Sequence, residues 1–354
     1  MNRLDRYIIA NVLGLTAVTA LGLTAIQTFI AFVSEAGELG GDFGFVELGL
    51  YIVLLVPSGL LTMLPMIALL GTLLGLGALA SQGELVAMRA VGVSVLRLGR
   101  ATTLAGVLLG LGAFMLGDWV APAGQRAADT LRDVAKHGVD PNAAAGPVWL
   151  RQGNNVIHIR SLLGEDHVAD VTAYTLNDDL SLAAVSQIDD GLYQDGRWRL
   201  SGIERTEFGD DRTTANSIEH ADWTNEDLPP DVLRLFVLEA ESLSMSGLVR
   251  LIHYMDDNGL DSGGYRLSLW RKLIAPISVV VMMLLAIPFV LGPLRDSGAG
   301  QRLLIGILFG LGYWIVNEVV ASTGQIYGWP PMLSAGLPTA LVAVLAVWRM
   351  ARFR

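Results

Sequence analysis

Six stretches of the chain stay apolar over the ~20 residues that a helix needs to cross a hydrocarbon layer of roughly 30 Å. They cover about 8–33, 45–80, 101–120, 273–291, 303–321 and 332–348. The second is the longest and holds Pro57 and Pro65. It predicts a helix that must tilt or kink, with the prolines marking where. The stretch between the third and fourth runs has a different rhythm. "VWLRQGNNVIHIRSL" is two short runs around a Gly-Asn-Asn turn. "LAAVSQIDDGLYQDGRWRLSGIERTEF" adds further runs split by Asp-Gly turns. Strands of this length with such breaks predict an all-β sandwich or roll. "TLRDVAKHG" and "SGLVRLIHYM" read as helical connections on either side of it.

One polar segment breaks the apolar pattern. "SQGELVAMRAVGVS", residues 81–94, lies between the second and third runs. It is too polar to cross a bilayer, yet it is spaced as a helix. Ser81-x-x-Glu84 has the form of a capping box, in which Ser81 caps the helix and Glu84 bonds back to its start. Leu85, Met88 and Gly92 then share a face, with Arg89 beside it. Two readings fit these residues equally: a helix lying on the membrane surface, and a helix that docks another protein.

Composition supports the membrane reading. The chain of 354 residues is 52% hydrophobic and only 16% charged, and the middle third holds most of the acids. This is an integral membrane protein with one soluble insert. Arg3 and Arg6 precede the first run, which reads as a retained span. The basic residues also set the orientation. With the N-terminus in the cytoplasm, the inner loops hold Arg89, Arg97, Arg100, Arg295, Arg302, Arg349, Arg352 and Arg354. The outer loops "SEAGELGGDFGFVE" and "GQIYGWPP" hold no Lys or Arg. Segment 81–94 therefore falls in the cytoplasm, both termini are cytoplasmic, and the β insert falls outside.

Several chemistries find no residues to carry them. The chain has no cysteine, so neither disulfide nor thiol chemistry is available. Its histidines, at 137, 158, 167, 220 and 253, have no metal-ligand spacing. There is no Walker glycine loop and no Gly-x-Ser-x-Gly elbow. Within the spans the polar groups are Gln27, Asp118 near an end, and Asn317-Glu318. Glu318 is the one candidate for an ion-coupled carrier. It reads more simply as a carboxylate at the outer interface or bonded within the bundle.

The chain resembles the LptF/LptG (YjgP/YjgQ) family of lipopolysaccharide-export permeases, on its LptG side. The resemblance is carried, in order, by "LDRYI", "LPMIALLGTLLGLGALASQGELVAMRAVGVS", "DWVAP", "WLRQGNNVIHI" and "LWRKLIAPISVVVMMLLAIPFVLGPLR". It implies a membrane α-helical protein with six transmembrane helices and an inserted periplasmic, jellyroll-like all-β domain. Helices 1–3 with a coupling helix at 81–94 would occupy 1–120, the β-domain 121–265, and helices 4–6 would occupy 266–354. It implies a non-catalytic permease in the bacterial inner membrane that extracts lipopolysaccharide and passes it to a periplasmic bridge. The implied partners are an LptF-type permease, an LptB-type ATPase dimer that binds the ATP and Mg, and an LptC-type single-span protein. No nucleic acid, metal or cofactor is expected in this chain.

The resemblance also assigns residues. Glu84, Leu85, Met88, Arg89 and Gly92 would dock the ATPase. Arg132 matches a basic position of the family and would meet lipid phosphates; Arg271 and Lys272, at the start of the fourth run, read equally as lipid contacts and as interfacial anchors of a helix end. Phe29, Phe32, Leu54, Leu61, Ile305, Phe309 and Tyr313 are candidates for an apolar lipid cavity, the alternative for each being a face toward bulk lipid. The family's lysines at the outer rim of the first two spans are absent here, where Glu35, Glu38, Asp42 and Glu47 stand. Two functions of other classes remain as alternatives: a membrane-anchored periplasmic scaffold and an ion-coupled carrier.

The orientation has a direct test. Single cysteines placed at Asn154 and Gly298 in this cysteine-free chain should react with an impermeant thiol reagent in intact spheroplasts only at position 154. Equal labelling at both, or labelling at 298 alone, would overturn the topology.

Overall fold

Each apolar run lies in a helix that extends beyond it. The computed structural model describes residues 3–40, 43–137, 148–163, 166–209, 212–223, 230–236, 238–292 and 298–352. Arg295, Arg354, Asp42 and the side chain of Glu38 lie outside the described residues. Helix α1 spans Arg3–Glu35 and α2 spans Phe45–Ser81. A short α3 covers Glu84–Ala90, and α4 covers Val95–Met115. A π-turn at Leu116–Val120 leads into α5, Ala121–His137. The short α6 is Pro230–Leu233 and α7 is Met245–Asp257. Then come α8, Gly263–Leu291, α9, Ala299–Ile326, and α10, Pro331–Ala351. Among the described residues, six helices are long and apolar enough to cross a membrane, counting Val95–Lys136 as one.

The third span does not stop at residue 120 as expected but runs on as helix into α5. Its π-turn has a local cause. Pro122 has no N–H to offer the carbonyl of residue 118, and the hydrogen-bond ladder widens over that residue. Pro57 and Pro65 likewise sit inside α2 without ending it. Neighbouring helices and side chains can satisfy the carbonyls that a proline leaves free.

The chain forms two compact units, one of residues 1–39, 48–125 and 266–354, the other of 40–47 and 126–265. In the first, α8 is central: its most apolar window is 56% buried, against 11% for α9. Its helices meet where glycines let backbones approach. A Cβ on Gly75 of α2 would stand 3.0 Å from the Val12 Cα of α1, and one on Gly106 of α4 would stand 3.0 Å from the Val280 Cα of α8. Gly110 meets Pro276 in the same way, and Gly306 and Gly310 of α9 receive Leu70, Leu73 and Met66 of α2. Polar bonds support these seams. Asn11 donates to the Gly75 carbonyl at 2.8 Å, and the Tyr313 and Thr339 hydroxyls, on α9 and α10, lie 2.9 Å apart.

The second unit holds one antiparallel sheet. Strands β1 (Val148–Gln152), β2 (Asn155–Leu162), β3 (His167–Leu176), β4 (Leu182–Gln194), β5 (Arg197–Phe208) and β6 (Thr213–Trp223) pair in sequence order. The inserted all-β unit is as expected, and its described strands form a meander. Alternation puts Val148, Leu150, Ile157, Ile159, Val171, Ile188, Trp198 and Ile203 into one core. Val232, Leu233 and Tyr254, from α6 and α7, close over it. The expected turns are partly present. Asp195 and Gly196, both with positive φ, form the β4–β5 hairpin. Asp190-Gly191, by contrast, lies within β4, where a Cβ on Gly191 would press on Val168 at 2.8 Å and Leu200 at 3.0 Å. That glycine makes room for the core and does not turn the chain.

The seams have a measurable consequence. Gly106→Leu should lower stability in detergent by about 1–3 kcal/mol through overpacking. Gly112→Ala, where an added Cβ meets nothing within 4 Å, should be neutral or stabilise by up to about 1 kcal/mol through helix propensity. Thermal unfolding followed by circular dichroism distinguishes the two.

Candidate functional site

The polar segment between α2 and α4 folds as a short hairpin with α3 at its centre. Two glycines set its ends. Gly83 (φ 75°) turns the chain out of α2, and its carbonyl accepts from the Ala87 N–H at 2.9 Å. Gly92 (φ 93°) ends α3 in a Schellman motif: Val93 N–H bonds to the Met88 carbonyl at 3.1 Å and Gly92 N–H to the Arg89 carbonyl at 3.0 Å. Ser94 then caps α4, its Oγ accepting from the Arg97 N–H at 3.3 Å.

The capping box expected at Ser81 does not form. Ser81 is the last residue of α2, and its hydroxyl donates to the Ala78 carbonyl at 2.9 Å. Gly83 is the N-cap residue of α3, with no side-chain bond. Helix α2 simply continues past the point where the motif would have begun a new one. The Glu84 carboxylate is engaged elsewhere, accepting from the Tyr7 hydroxyl of α1 at 2.9 Å.

Leu85, at 5% exposure, faces into the chain's own core with Leu79, Val95 and Leu98, and Met88 packs against that core. The surface left open on the hairpin includes Val86, Ala87, Arg89, Ala90, Val91 (87% exposed) and Gly92. Beside it a shallow notch is lined by Met88, Arg89, Val93 and Leu291, so the end of α8 reaches the hairpin. The hairpin is thus rooted by an apolar side and presents a mixed one.

Sequence reasoning missed the polar ties beneath it. Arg97 Nε donates to Asp5 Oδ1 at 3.1 Å, joining α4 to the start of α1. Arg302, counted above as an inner-loop residue, is instead buried (3% exposed) within α9, its guanidinium against Gly77 of α2. The only sequence signal for these ties was the placement of Asp5, Tyr7, Arg97 and Arg302 at the ends of apolar runs.

The lipid candidates are dispersed. Arg271 of α8 donates to Glu318 of α9 at 3.0 Å, so this carboxylate is bonded within the bundle. Lys272 donates to the Gly117 carbonyl in the π-turn at 3.2 Å. Phe309 makes an edge-to-face contact with Phe289 at 4.8 Å. Ile305 and Tyr313 pack against the main core. Leu61 lies beside Gly117, and the Leu54 carbonyl beside Gly124. Phe29 is 68% exposed on the second half of α1, with Phe32 nearby in sequence and also exposed. Arg132 lies in the second unit, on α5, one helical turn before Lys136. Lys136 sits 5.3 Å over the buried ring of Phe43, at the end of the acidic loop.

Six apolar helices of spanning length, joined by a rooted polar hairpin and interrupted by a β insert, define a multi-pass membrane protein. The chain belongs to the family described as lipopolysaccharide export system permease LptF/LptG, which matches residues 6–352. It is 31% identical to the lipopolysaccharide export system permease protein LptG of Escherichia coli K12 over 352 residues, 99% of this chain and 98% of that protein. It is 32% identical to LptG of Haemophilus influenzae over 358 residues, 100% and 99% of the two. These relatives are permease proteins of a transport system.

Proposed function

We propose that the chain is the LptG-type half of an inner-membrane exporter that extracts lipopolysaccharide and passes it to a periplasmic bridge. The observation that carries this reading is the α3 hairpin: a polar element between two spans, rooted by Leu85 and open at Arg89 and Val91. A surface of that kind suits a soluble motor that pushes on membrane helices. An LptF-type permease would complete the pair. An LptB-type ATPase dimer would hydrolyse ATP with Mg on the cytoplasmic side, and an LptC-type protein would receive the lipid. The chain itself would do no catalysis and hold no cofactor.

In this reading both termini are cytoplasmic and the sheet is periplasmic. Residues 1–120 and 266–354 form the transporter body, and 121–265 the lipid-receiving domain. Glu84, Leu85, Met88, Arg89 and Gly92 serve docking in two ways. Arg89 and Gly92 lie on the open side, while Leu85 and Met88 fix the helix to the bundle. A rigid element can carry a displacement into α2 and α4. Arg132 would pair with a lipid phosphate, which an arginine holds with directional, charge-assisted bonds. Arg271 and Lys272 are already engaged with Glu318 and Gly117 and would serve the lipid only by exchanging those partners. The apolar candidates, from Phe29 to Tyr313, would meet acyl chains. The pairing of Glu318 with Arg271 supports its reading as a carboxylate bonded within the bundle and favours the exporter over the carrier.

The test is assembly. Glu84→Lys should leave the chain inserted but reduce the copurifying ATPase well below wild-type stoichiometry. The substitution reverses the charge in the first turn of α3, and the exposed hydrogen bond to Tyr7 that it removes is too weak to hold the bundle together. Full retention of ATPase and of its activity would remove Glu84 from the docking surface. Arg132→Glu should sharply lower crosslinking to lipopolysaccharide, with ATPase docking unchanged.

A further inference from the structure

Helix α1 is fastened to the bundle at one end. Its buried residues are Ile8, Ile9, Val12 and Thr16, all in its first half. Beyond them Val18, Leu21, Ile26, Phe29, Ile30 and Val33 are exposed. The outer half does touch α2, through Gln27 beside Gly59. That contact is polar, and Gln27 Oε1 finds no hydrogen-bond partner among the described residues.

The fastened half carries a ladder of polar contacts to the hairpin and its flanking helices. Asp5 pairs with Arg97 at the start of α4, at 3.1 Å. Two residues on, the Tyr7 hydroxyl bonds Glu84 at the start of α3, at 2.9 Å. One turn further, Asn11 bonds the Gly75 carbonyl at 2.8 Å, and next to it Val12 closes on Gly75. Thr16 closes on Gly71 a turn above. The upper contacts join the Asn11 bond to two close approaches, at Gly75 and Gly71, and leave little room to slide, so they serve as the pivot. The lower two are side-chain ties, Tyr7 to the hairpin and Asp5 to the first turn of α4 that follows it.

We propose that Tyr7 and Asp5 are positioning residues that make α1 follow the cytoplasmic hairpin, so that a displacement of α3 is delivered to α1 as well as to α2 and α4. The proposal rests on the docking reading of the hairpin given above. The geometry is that of a lever. At about 1.5 Å per residue, the arm from Tyr7 to Thr16 is roughly 14 Å and the arm from Thr16 to Phe32 roughly 24 Å. A shift at the tied end is enlarged at the exposed end. Neither tie is a large source of stability. The ion pair is about one-third exposed on Arg97 and one-quarter on Asp5, the Tyr7 bond is exposed, and solvent weakens both. Their value lies in direction. They connect Glu84 in the first turn of α3 and Arg97 in the first turn of α4 to a helix whose buried residues all lie in its first half.

The experiment uses the complex purified with its ATPase in lipid nanodiscs containing lipopolysaccharide. Tyr7→Phe, Asp5→Arg and Arg97→Asp are compared with wild type for ATPase stoichiometry and for lipid released per ATP hydrolysed. Each single variant should retain the ATPase at the wild-type ratio and release at least threefold less lipid per ATP. Asp5→Arg combined with Arg97→Asp should return to within twofold of wild type, because the reversed pair restores the tie. A merely structural role would change yield or stability and leave lipid per ATP unmoved. Single variants that release lipid at the wild-type ratio, or a double reversal as poor as its parents, would overturn the proposal. So would loss of the ATPase from Tyr7→Phe, which would make Tyr7 part of the docking surface. If the wild-type complex itself carried no ATPase, the docking reading would fall first, and the proposal with it.

Discussion

Helices that share an apolar solvent gain little by packing leucine on leucine, because lipid is an equally good neighbour. What remains is close contact of backbones and the few polar bonds that it permits. In this chain those contacts pass through Gly71, Gly75 and Gly77 of α2, Gly106 and Gly110 of α4, and Gly306 and Gly310 of α9. Each removes a Cβ where a neighbouring helix arrives. Helix α2 is the shared partner, meeting α1 at Gly71 and Gly75 and α9 at Gly77, Leu70 and Met66. The same approach exposes the Gly75 carbonyl to Asn11 and makes room for the Arg302 guanidinium.

The hairpin depends on this arrangement. Helix α3 has 7 residues, far too few to be stable alone in water. It exists because Leu85 enters the bundle core and because left-handed glycines bracket it. Helix α2 brings it to the site and α4 leaves from it, so any force on α3 acts on both. Arg97 and Glu84 extend that connection to α1 through Asp5 and Tyr7. The β unit obeys the opposite physics. Its core gains from leaving water, and strand alternation with α6 and α7 builds that core, with Gly191 yielding space to it.

Resemblance and structure meet in some places and part in others. A Ser-x-x-Glu spacing can begin a helix only if the preceding helix has ended, and α2 had not, so Ser81 bonds backwards. An Asp-Gly pair turns a chain only when the flanking strands part. At Asp195-Gly196 they do, while at Asp190-Gly191 the sheet continues and the glycine yields space to Val168 and Leu200. Arg302 reads as a loop charge because it lies at the end of an apolar run, but its side chain folds back into the room left by Gly77. Glu318 had been read as an interfacial or bundle-bonded carboxylate, and Arg271 supplies its partner.

The sequence alone determined the spans, the β insert and the position of the polar hairpin. Hydropathy and alternation are local sums over neighbouring residues, and neither needs the rest of the fold. Ordered motifs along the whole chain also made the family legible. Tertiary structure decided which faces turn inward. Leu85 and Phe29 are equally apolar, yet one is core and the other exposed, because lipid and protein interior present the same solvent to a hydrophobic side chain. It also decided the pairings. Asp5 and Arg97 lie 92 residues apart, Tyr7 and Glu84 77, and Arg271 and Glu318 47. Such contacts follow from which helices come to lie side by side, which no local pattern of charge records.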